Sequence, residues 1–320
     1  MRIAALITVL LVLGAGSAAA HGGSVPVQPS GLWRAWSFDP VVLIPLLVTH
    51  WAYGRGVLRL WRRAGRWRGI GRLQVLSFLL GELVLVIALV SPLDQLGGTL
   101  LSAHMAQHGL LMAVAPPLLL VGQPGAAFAW AFPARGRKGF LGARPWRAVA
   151  NATNALSRPG PGAGLHGLAL WLWHSPGAFD AALQSEWVHT LEHASFFGTA
   201  LLFWRALVAG YSGHRTAKTI GSAFLTLIHS GLLGALITLS TRPLYKWYSG
   251  RAELWGLSAL EDQQLAGLLM WVPMGSVYFG VCLLLASQLI DPDAHQRRRT
   301  ARADPVPPRR DWSTPLNCES

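Results

Sequence analysis

The sequence predicts an all-α fold, a polytopic membrane helix bundle with seven transmembrane helices after removal of a signal peptide. Three observations predict it: a short leader with a cleavage site, seven apolar segments long enough to cross a bilayer, and Lys and Arg residues gathered in alternate loops. Composition agrees. Only 13% of the 320 residues are charged, against about 25% in a soluble domain. The fifteen Trp suit a bilayer interface, where an amphipathic indole has both an apolar and a wet side. A net charge of +13 could mean nucleic acid. Here the basic residues sit in short loops between apolar spans, where they set topology and meet anionic membrane lipids, so nucleic acid is excluded as a partner.

The elements follow in order. Met1-Arg2, the apolar run from Ile3 to Leu13 and the small residues Ala18-Ala19-Ala20 make residues 1–20 a secretory signal peptide. The mature chain would begin at His21, and residues 21–38 form a short periplasmic lead. The membrane domain covers 39–290, with spans at 40–60, 73–91, 100–121, 163–182, 188–208, 219–240 and 264–290. The fourth is the weakest; it holds His166, His174 and Pro176 and is expected to end near Ser175. Pro116-Pro117 is expected to break the third. Residues 291–320, rich in Arg and Pro, read as a disordered basic cytoplasmic tail.

Loop charge gives the orientation. Arg55, Arg59, Arg62, Arg63, Arg66, Arg68 and Arg72 separate spans one and two. Arg135, Arg137, Lys138, Arg144, Arg147 and Arg158 separate three and four, and Arg205, Arg215 and Lys218 follow five. The loops around Asp94 and around Asp180 and Glu186 hold no Lys or Arg. The positive-inside rule then puts the mature N-terminus in the periplasm and the C-terminus in the cytoplasm of a multi-pass inner-membrane protein. The signal peptide requires the same side for the N-terminus. On that topology neither Cys282 nor Cys318 faces the periplasm, so no disulfide framework is implied.

Ionisable groups inside a membrane span are costly and mark sites. His104 and His108 lie four apart at the outer end of span three, and His189 and His193 four apart at the outer end of span five. Four residues is about one helical turn, so each pair shares a helix face. Two facing pairs would offer four imidazoles at one depth, a donor set for Cu, Zn or Fe. A single such pair is more often two polar groups bonded to neighbours; the second pair on the same side favours a site. His174 lies at the same end. His50 and His166 read as packing or interfacial residues, and His229 sits deeper. Glu192 is placed to hold a ligand imidazole, and Asp94 to cap the helix carrying His104. Met105, Met270 and Met274 offer thioethers that suit Cu(I), although Met in an apolar helix usually packs. After cleavage, His21 could chelate Cu(II) through its amine and ring. No P-loop, GxSxG or HExxH motif is present, so no common catalytic chemistry is indicated.

Three stretches carry a family resemblance: Pro92–Pro124 (PLDQLGGTLLSAHMAQHGLLMAVAPPLLLVGQP), Trp173–Trp204 (WHSPGAFDAALQSEWVHTLEHASFFGTALLFW) and Ser258–Pro273 (SALEDQQLAGLLMWVP). Over residues 38–290 the chain resembles the CtaG-type multi-span assembly factors of cytochrome c oxidase, not the single-span copper chaperone that shares the name. The resemblance implies a non-enzymatic role in maturing the oxidase at its copper-loading stage, with oxidase subunits as partners and copper as the metal. The family's polar motif residues fall here on Asp94, His104, His108, His174, His189, Glu192, His193, Glu261, Asp262 and Gln263. The expectation that follows has His104, His108, His189 and His193 as main metal ligands and His174 next. Asp94, Glu192, Glu261 and Asp262 would support them, with Met105 or Met270 stabilising Cu(I). Two other classes stay open: a transporter of copper or a small solute, which needs polar groups at several depths, and a membrane metalloenzyme that activates water or oxygen. A scaffold that binds no metal is a further possibility.

Overall fold

The computed structural model describes residues 25–133, 144–210 and 216–290. The expected signal peptide, His21 and the Arg-rich tail lie outside the described residues. Every regular element among those described is a helix. Helix α1 spans Pro40–Ala64; Asp39 accepts the Val41 amide at 2.8 Å and Pro40 occupies its first turn, where a missing N–H is harmless. Helix α2 is Arg72–Leu89 and the short α3 is Pro92–Gly97, capped by the Ser91 hydroxyl. Next come α4 (Leu101–Gly109), a five-residue π-turn at Leu110–Val114, and α5 (Ala115–Val121). Helices α6 (Pro124–Ala131), α7 (Arg144–Leu156), α8 (Pro159–Trp173) and α9 (Pro176–Gln184) are shorter. The long α10 (Glu186–Gly210), α11 (Thr216–Thr238) and α12 (Ala259–Ile290) complete the bundle.

Among the described residues, five helices are long and apolar enough to cross a membrane: Pro40–Ala64, Arg72–Leu89, Leu101–Val121, Ala217–Thr238 and Ala259–Ser287. The expected fourth and fifth spans correspond to α8 and α10. Helix α8 has 15 residues, a length of about 22 Å at the α-helical rise, less than the roughly 30 Å of a hydrocarbon core. It stops at Trp173 because Pro176 forces Ser175 into an extended backbone (ψ 135°). Helix α10 has 25 residues, but Glu186, His189, Glu192, His193 and Arg205 dilute its apolar character.

The expected break at Pro116-Pro117 is instead a local widening of a continuous helix. Pro116 has no N–H to give to the Met112 carbonyl one turn back. The chain widens through the π-turn, and the Met112 carbonyl accepts the Trp204 indole N–H at 2.8 Å. This span is the centre of the bundle: 61% of its apolar eighteen-residue stretch is buried, against 22% of that of α1. One core packs Met112 and Ala113 against α8, α10, α11 and α12, including Phe196, Phe203, Met270 and Tyr278. A second packs Leu111, Ala115 and Leu119 against α1, α2 and α6, around stacked Tyr53 and Phe78. Helices α11 and α12 touch backbone to backbone at Gly234 and Gly267, where a Cβ on Gly267 would lie 2.7 Å from the Gly234 carbonyl oxygen. Outward faces carry large apolar residues such as Leu79, Leu83, Phe224, Ile228 and Leu232, as a lipid-facing surface requires.

The chain before α1 docks onto the histidine end. The Val27 amide donates to Thr99 Oγ1 at 2.8 Å, and the Trp255 indole donates to the Val27 carbonyl at 2.9 Å.

Candidate metal centre

Helices α4 and α10 bring the two histidine pairs face to face. His104 and His108 have ring centroids 4.3 Å apart, His189 and His193 4.1 Å. Across the interface, His104 lies 5.4 Å from His189 and 5.8 Å from His193, and His108 lies 5.2 Å from His193. Glu192, on the same turn of α10, sits between them: its oxygens are 3.9 Å from His104 Nε2 and 3.8 Å from His108 Nε2. One donor atom from each of His104, His189, Glu192 and His193 falls within 4.8 Å of the other three. Glu192 is 0% exposed and His108 1%. Neither carboxylate oxygen of Glu192 and neither ring nitrogen of His108 makes a hydrogen bond. Burying a carboxylate without a partner costs several kcal/mol. A cation among these donors removes that cost, so the residues fit a metal ion. Three imidazoles and a carboxylate suit a borderline divalent ion such as Zn or Cu.

His174 closes one side. Its Nδ1 donates to the Leu170 carbonyl at 2.7 Å, which leaves the Nε2 lone pair facing Met105 Sδ at 3.4 Å. Its ring centroid is 5.8 Å from that of His108. The buried Phe179 of α9 seals the outside, 5.1 Å from the His104 ring.

The first turn of α4 is held by another helix. Asp262, fully buried in the first turn of α12, accepts the Leu101 amide at 2.6 Å, the Ser102 amide at 3.1 Å and the Ser102 hydroxyl at 2.5 Å. It therefore caps the helix that carries His104 and His108. Asp94, expected in that role, binds the side chain of Gln107 instead: Gln107 Nε2 donates to Asp94 Oδ1 at 2.9 Å and to the Ala88 carbonyl at 2.8 Å. Gly97 leaves room for this packing; a Cβ there would lie 3.2 Å from Gln107 Oε1 and 3.6 Å from His104 Nδ1. A strap from the loop before α12 ties the turn down. Tyr248 donates to the Gly97 carbonyl at 2.8 Å, Trp247 to the Gly98 carbonyl at 3.0 Å, and Tyr245 to the His174 carbonyl at 2.9 Å. Burial, reinforced by Glu192 and other acidic neighbours, pushes both phenols above their ordinary range, which keeps them protonated as donors.

A family model described as cytochrome c oxidase caa3 assembly factor matches residues 51–291. The chain belongs to that family. The match contains every residue of the histidine cluster. Proteins named only as uncharacterized in Mycobacterium bovis and Mycobacterium tuberculosis are each 28% identical over 284 residues, covering 86% of this chain and 42% of the relative. One from Mycobacterium leprae, named in the same way, is 27% identical over 254 residues, covering 76% of this chain and 38% of the relative. This chain thus spans about two fifths of the length of these relatives. No solved structure matches it.

Within this caa3 assembly factor fold, the residues expected at the site divide into groups. His104, His108, His174, His189, Glu192, His193 and Met105 come together; Asp94 and Asp262 act one residue removed, through Gln107 and the start of α4. Glu261 is exposed and turned to its own helix, where it and Ser258 form a reciprocal capping box (Ser258 N to Glu261 Oε2 2.8 Å, Glu261 N to Ser258 Oγ 3.2 Å). Met270 lies in the apolar core with Phe196 and Met274, a packing role. Gln263 accepts the Leu244 amide at 2.6 Å and so anchors the strap. The sequence reading missed Gln107, Ser102, Gly97 and the two tyrosines. Gln107 stood in view as a third polar residue between the two histidines of an apolar segment; the others gain their roles only from contacts distant in sequence.

A cleft of about 1290 Å³ runs down the bundle between α1, α2 and α5 on one side and α7 and α10 on the other. Asp39, Asp94 and Glu186 line its histidine end and Thr153 and Arg205 the opposite end; His189 and His193 are part of its wall. The histidine cluster is thus buried from α4 but reachable sideways.

Proposed function

We propose that this family member binds copper at His104, His189, His193 and Glu192 and passes it to a subunit of cytochrome c oxidase, without itself catalysing a reaction. The observation that carries the reading is the Glu192 carboxylate, 0% exposed, with no hydrogen bond and imidazoles around it. Copper is the cargo, and the family supplies its destination. His108, with both ring nitrogens unbonded, and the His174–Met105 pair, a nitrogen and a soft sulfur 3.4 Å apart, adjoin these ligands and suit a Cu(I) ion in transit. The cleft wall formed by His189 and His193 gives the receiving subunit a lateral approach. In the full arrangement α8 and α10 complete seven spans in the inner membrane, the signal peptide is removed, and the copper centre lies at the periplasmic face with the C-terminus in the cytoplasm. Loop charge supports this orientation.

The test is made in cells that lack the protein and are complemented with wild type or with Glu192→Gln. The oxidase purified from each is assayed for copper per haem. Full copper with wild type and depleted copper with the variant supports the reading. Full copper in cells that lack the protein altogether overturns it.

A further inference from the structure

We propose that the histidine cluster holds two copper ions at once, with the Glu192 carboxylate bridging them and with His108, His174 and Met105 binding the second. The proposal rests on the reading of the cluster as a copper centre and adds an ion to it. The argument begins with the tautomer of His174. The ring is buried, and a buried imidazolium is costly, so the ring is neutral and carries one proton. Its Nδ1 donates that proton to the Leu170 carbonyl at 2.7 Å, which leaves a lone pair on Nε2. The lone pair faces Met105 Sδ at 3.4 Å. A thioether sulfur has no hydrogen to give. Two acceptors therefore face each other in the interior with no proton between them. A soft cation shared by both turns this contact into two bonds. The spacing suits it: a nitrogen about 2.0 Å and a sulfur about 2.3 Å from one tetrahedral ion stand about 3.5 Å apart.

His108 supplies a further nitrogen. It follows Met105 by three residues on α4, so the two share a helix face. Its ring centroid is 5.8 Å from that of His174, and neither of its nitrogens makes a hydrogen bond. The fully buried Phe196 packs against both rings, at 4.7 Å from His108 and 5.6 Å from His174, and keeps water from them. Glu192 joins this group to the rest of the cluster. Its Oε2 is turned to His104 Nε2 at 3.9 Å and its Oε1 to His108 Nε2 at 3.8 Å. Both distances exceed a hydrogen bond, and each oxygen is open to its own ion. His104, His189 and His193 complete the first ion; His108, His174 and Met105 complete the second. One carboxylate offsets one positive charge, so two divalent ions would be buried with most of their charge uncompensated. Cu(I) is monovalent and accepts imidazole and thioether, and it is the ion that the second group fits.

The position gives the second ion a use. His189 and His193 form part of the cleft wall, and His108, His174 and Met105 do not. An ion leaving through the cleft departs from the first position, and the second holds the next ion behind it, with Glu192 in reach of both. His174 and Met105 bind only the second ion, so the two positions can be tested separately.

The full chain is loaded anaerobically with Cu(I) in detergent against a competing chelator, and bound copper is counted by mass spectrometry. Wild type is expected to bind two equivalents, and X-ray absorption of the fully loaded protein to show a sulfur neighbour. Met105→Leu keeps the volume of the side chain and should fold. It is expected to lose the sulfur signal and to weaken one equivalent by more than the roughly 10-fold that loss of an orienting group costs, with the other unchanged. Met105→Leu/His174→Ala is expected to bind one equivalent, and Glu192→Gln to weaken both. One equivalent in wild type, or full loading without a sulfur neighbour, overturns the second ion and leaves the copper centre standing. Unchanged affinity for both equivalents in Met105→Leu also overturns it, and this variant decides the matter if the double variant does not fold. Loss of a single equivalent in Glu192→Gln overturns the bridge. No copper in wild type overturns the second ion and the copper centre together.

Discussion

Replacing Asp262 should damage the metal centre without touching a ligand. Its carboxylate accepts the Leu101 and Ser102 amides and the Ser102 hydroxyl inside a fully buried site. Asp262→Ala leaves three buried donors without a partner, each worth about 1–3 kcal/mol. Partial relaxation of the first turn of α4 brings the expected total loss of stability to about 3–6 kcal/mol. In Asp262→Asn the remaining oxygen can keep the Ser102 contacts, which both go to Oδ1, and only the Leu101 amide is orphaned, at about 1–3 kcal/mol. His104 follows Ser102 by two residues, and its amide makes the first bond of the helix, to the Leu100 carbonyl at 3.2 Å. Fraying that turn displaces His104 while His108, a turn later, stays. Metal affinity should therefore fall about 10–100-fold in Asp262→Ala, the usual cost of losing a group that orients a ligand, and less in Asp262→Asn. Thermal unfolding in detergent and chelator competition measure the two effects. If Asp262→Ala matches wild type in both, the capping argument is refuted.

Three other substitutions separate the site from the scaffold. Gly97→Ala puts a methyl 3.6 Å from His104 Nδ1 and 3.2 Å from Gln107 Oε1; it should lower metal affinity several-fold with little change in melting temperature, read by the same chelator titration. Trp204→Phe removes the donor to the Met112 carbonyl and should cost about 1–3 kcal/mol for an orphaned buried acceptor, with the copper count unchanged; a melt and a metal assay on one sample check both. Glu261→Ala opens the capping box with Ser258 and should lower the melting temperature slightly while metal affinity stays at the wild-type value, in contrast with its neighbour Asp262.

The residues of the site were legible in the sequence because helical periodicity is local. Four-residue spacing puts His104 with His108, and His189 with His193, whatever else the chain does. That the pairs face each other was not legible. It depends on how α4 is rotated, and α4 is pinned by Asp262, 160 residues further along the chain. Asp262 stood out as a polar motif residue, but a buried acid beside a metal and a buried acid capping a helix look alike in sequence. Asp94 was assigned the capping role because it is near in sequence, and the structure gives that role to the distant residue. Pro116-Pro117 read as a break because the compensating donor, Trp204, lies 92 residues from the carbonyl it satisfies. Spans four and five fall short for two different physical reasons: Pro176 limits α8 to 15 residues, and the polar residues that build the site interrupt the apolar run of α10. Met270 shows the opposite limit, since a thioether in an apolar helix looks the same whether it binds metal or fills a core.

The most direct test of the metal centre is the copper content of purified protein after anaerobic Cu(I) loading, in wild type and in His104→Ala/His108→Ala, with helix content checked by circular dichroism. The account predicts copper bound to wild type and less in the folded double variant. Equal copper in both, or none in wild type, would contradict it and leave the buried histidines and Glu192 as parts of a scaffold for oxidase assembly.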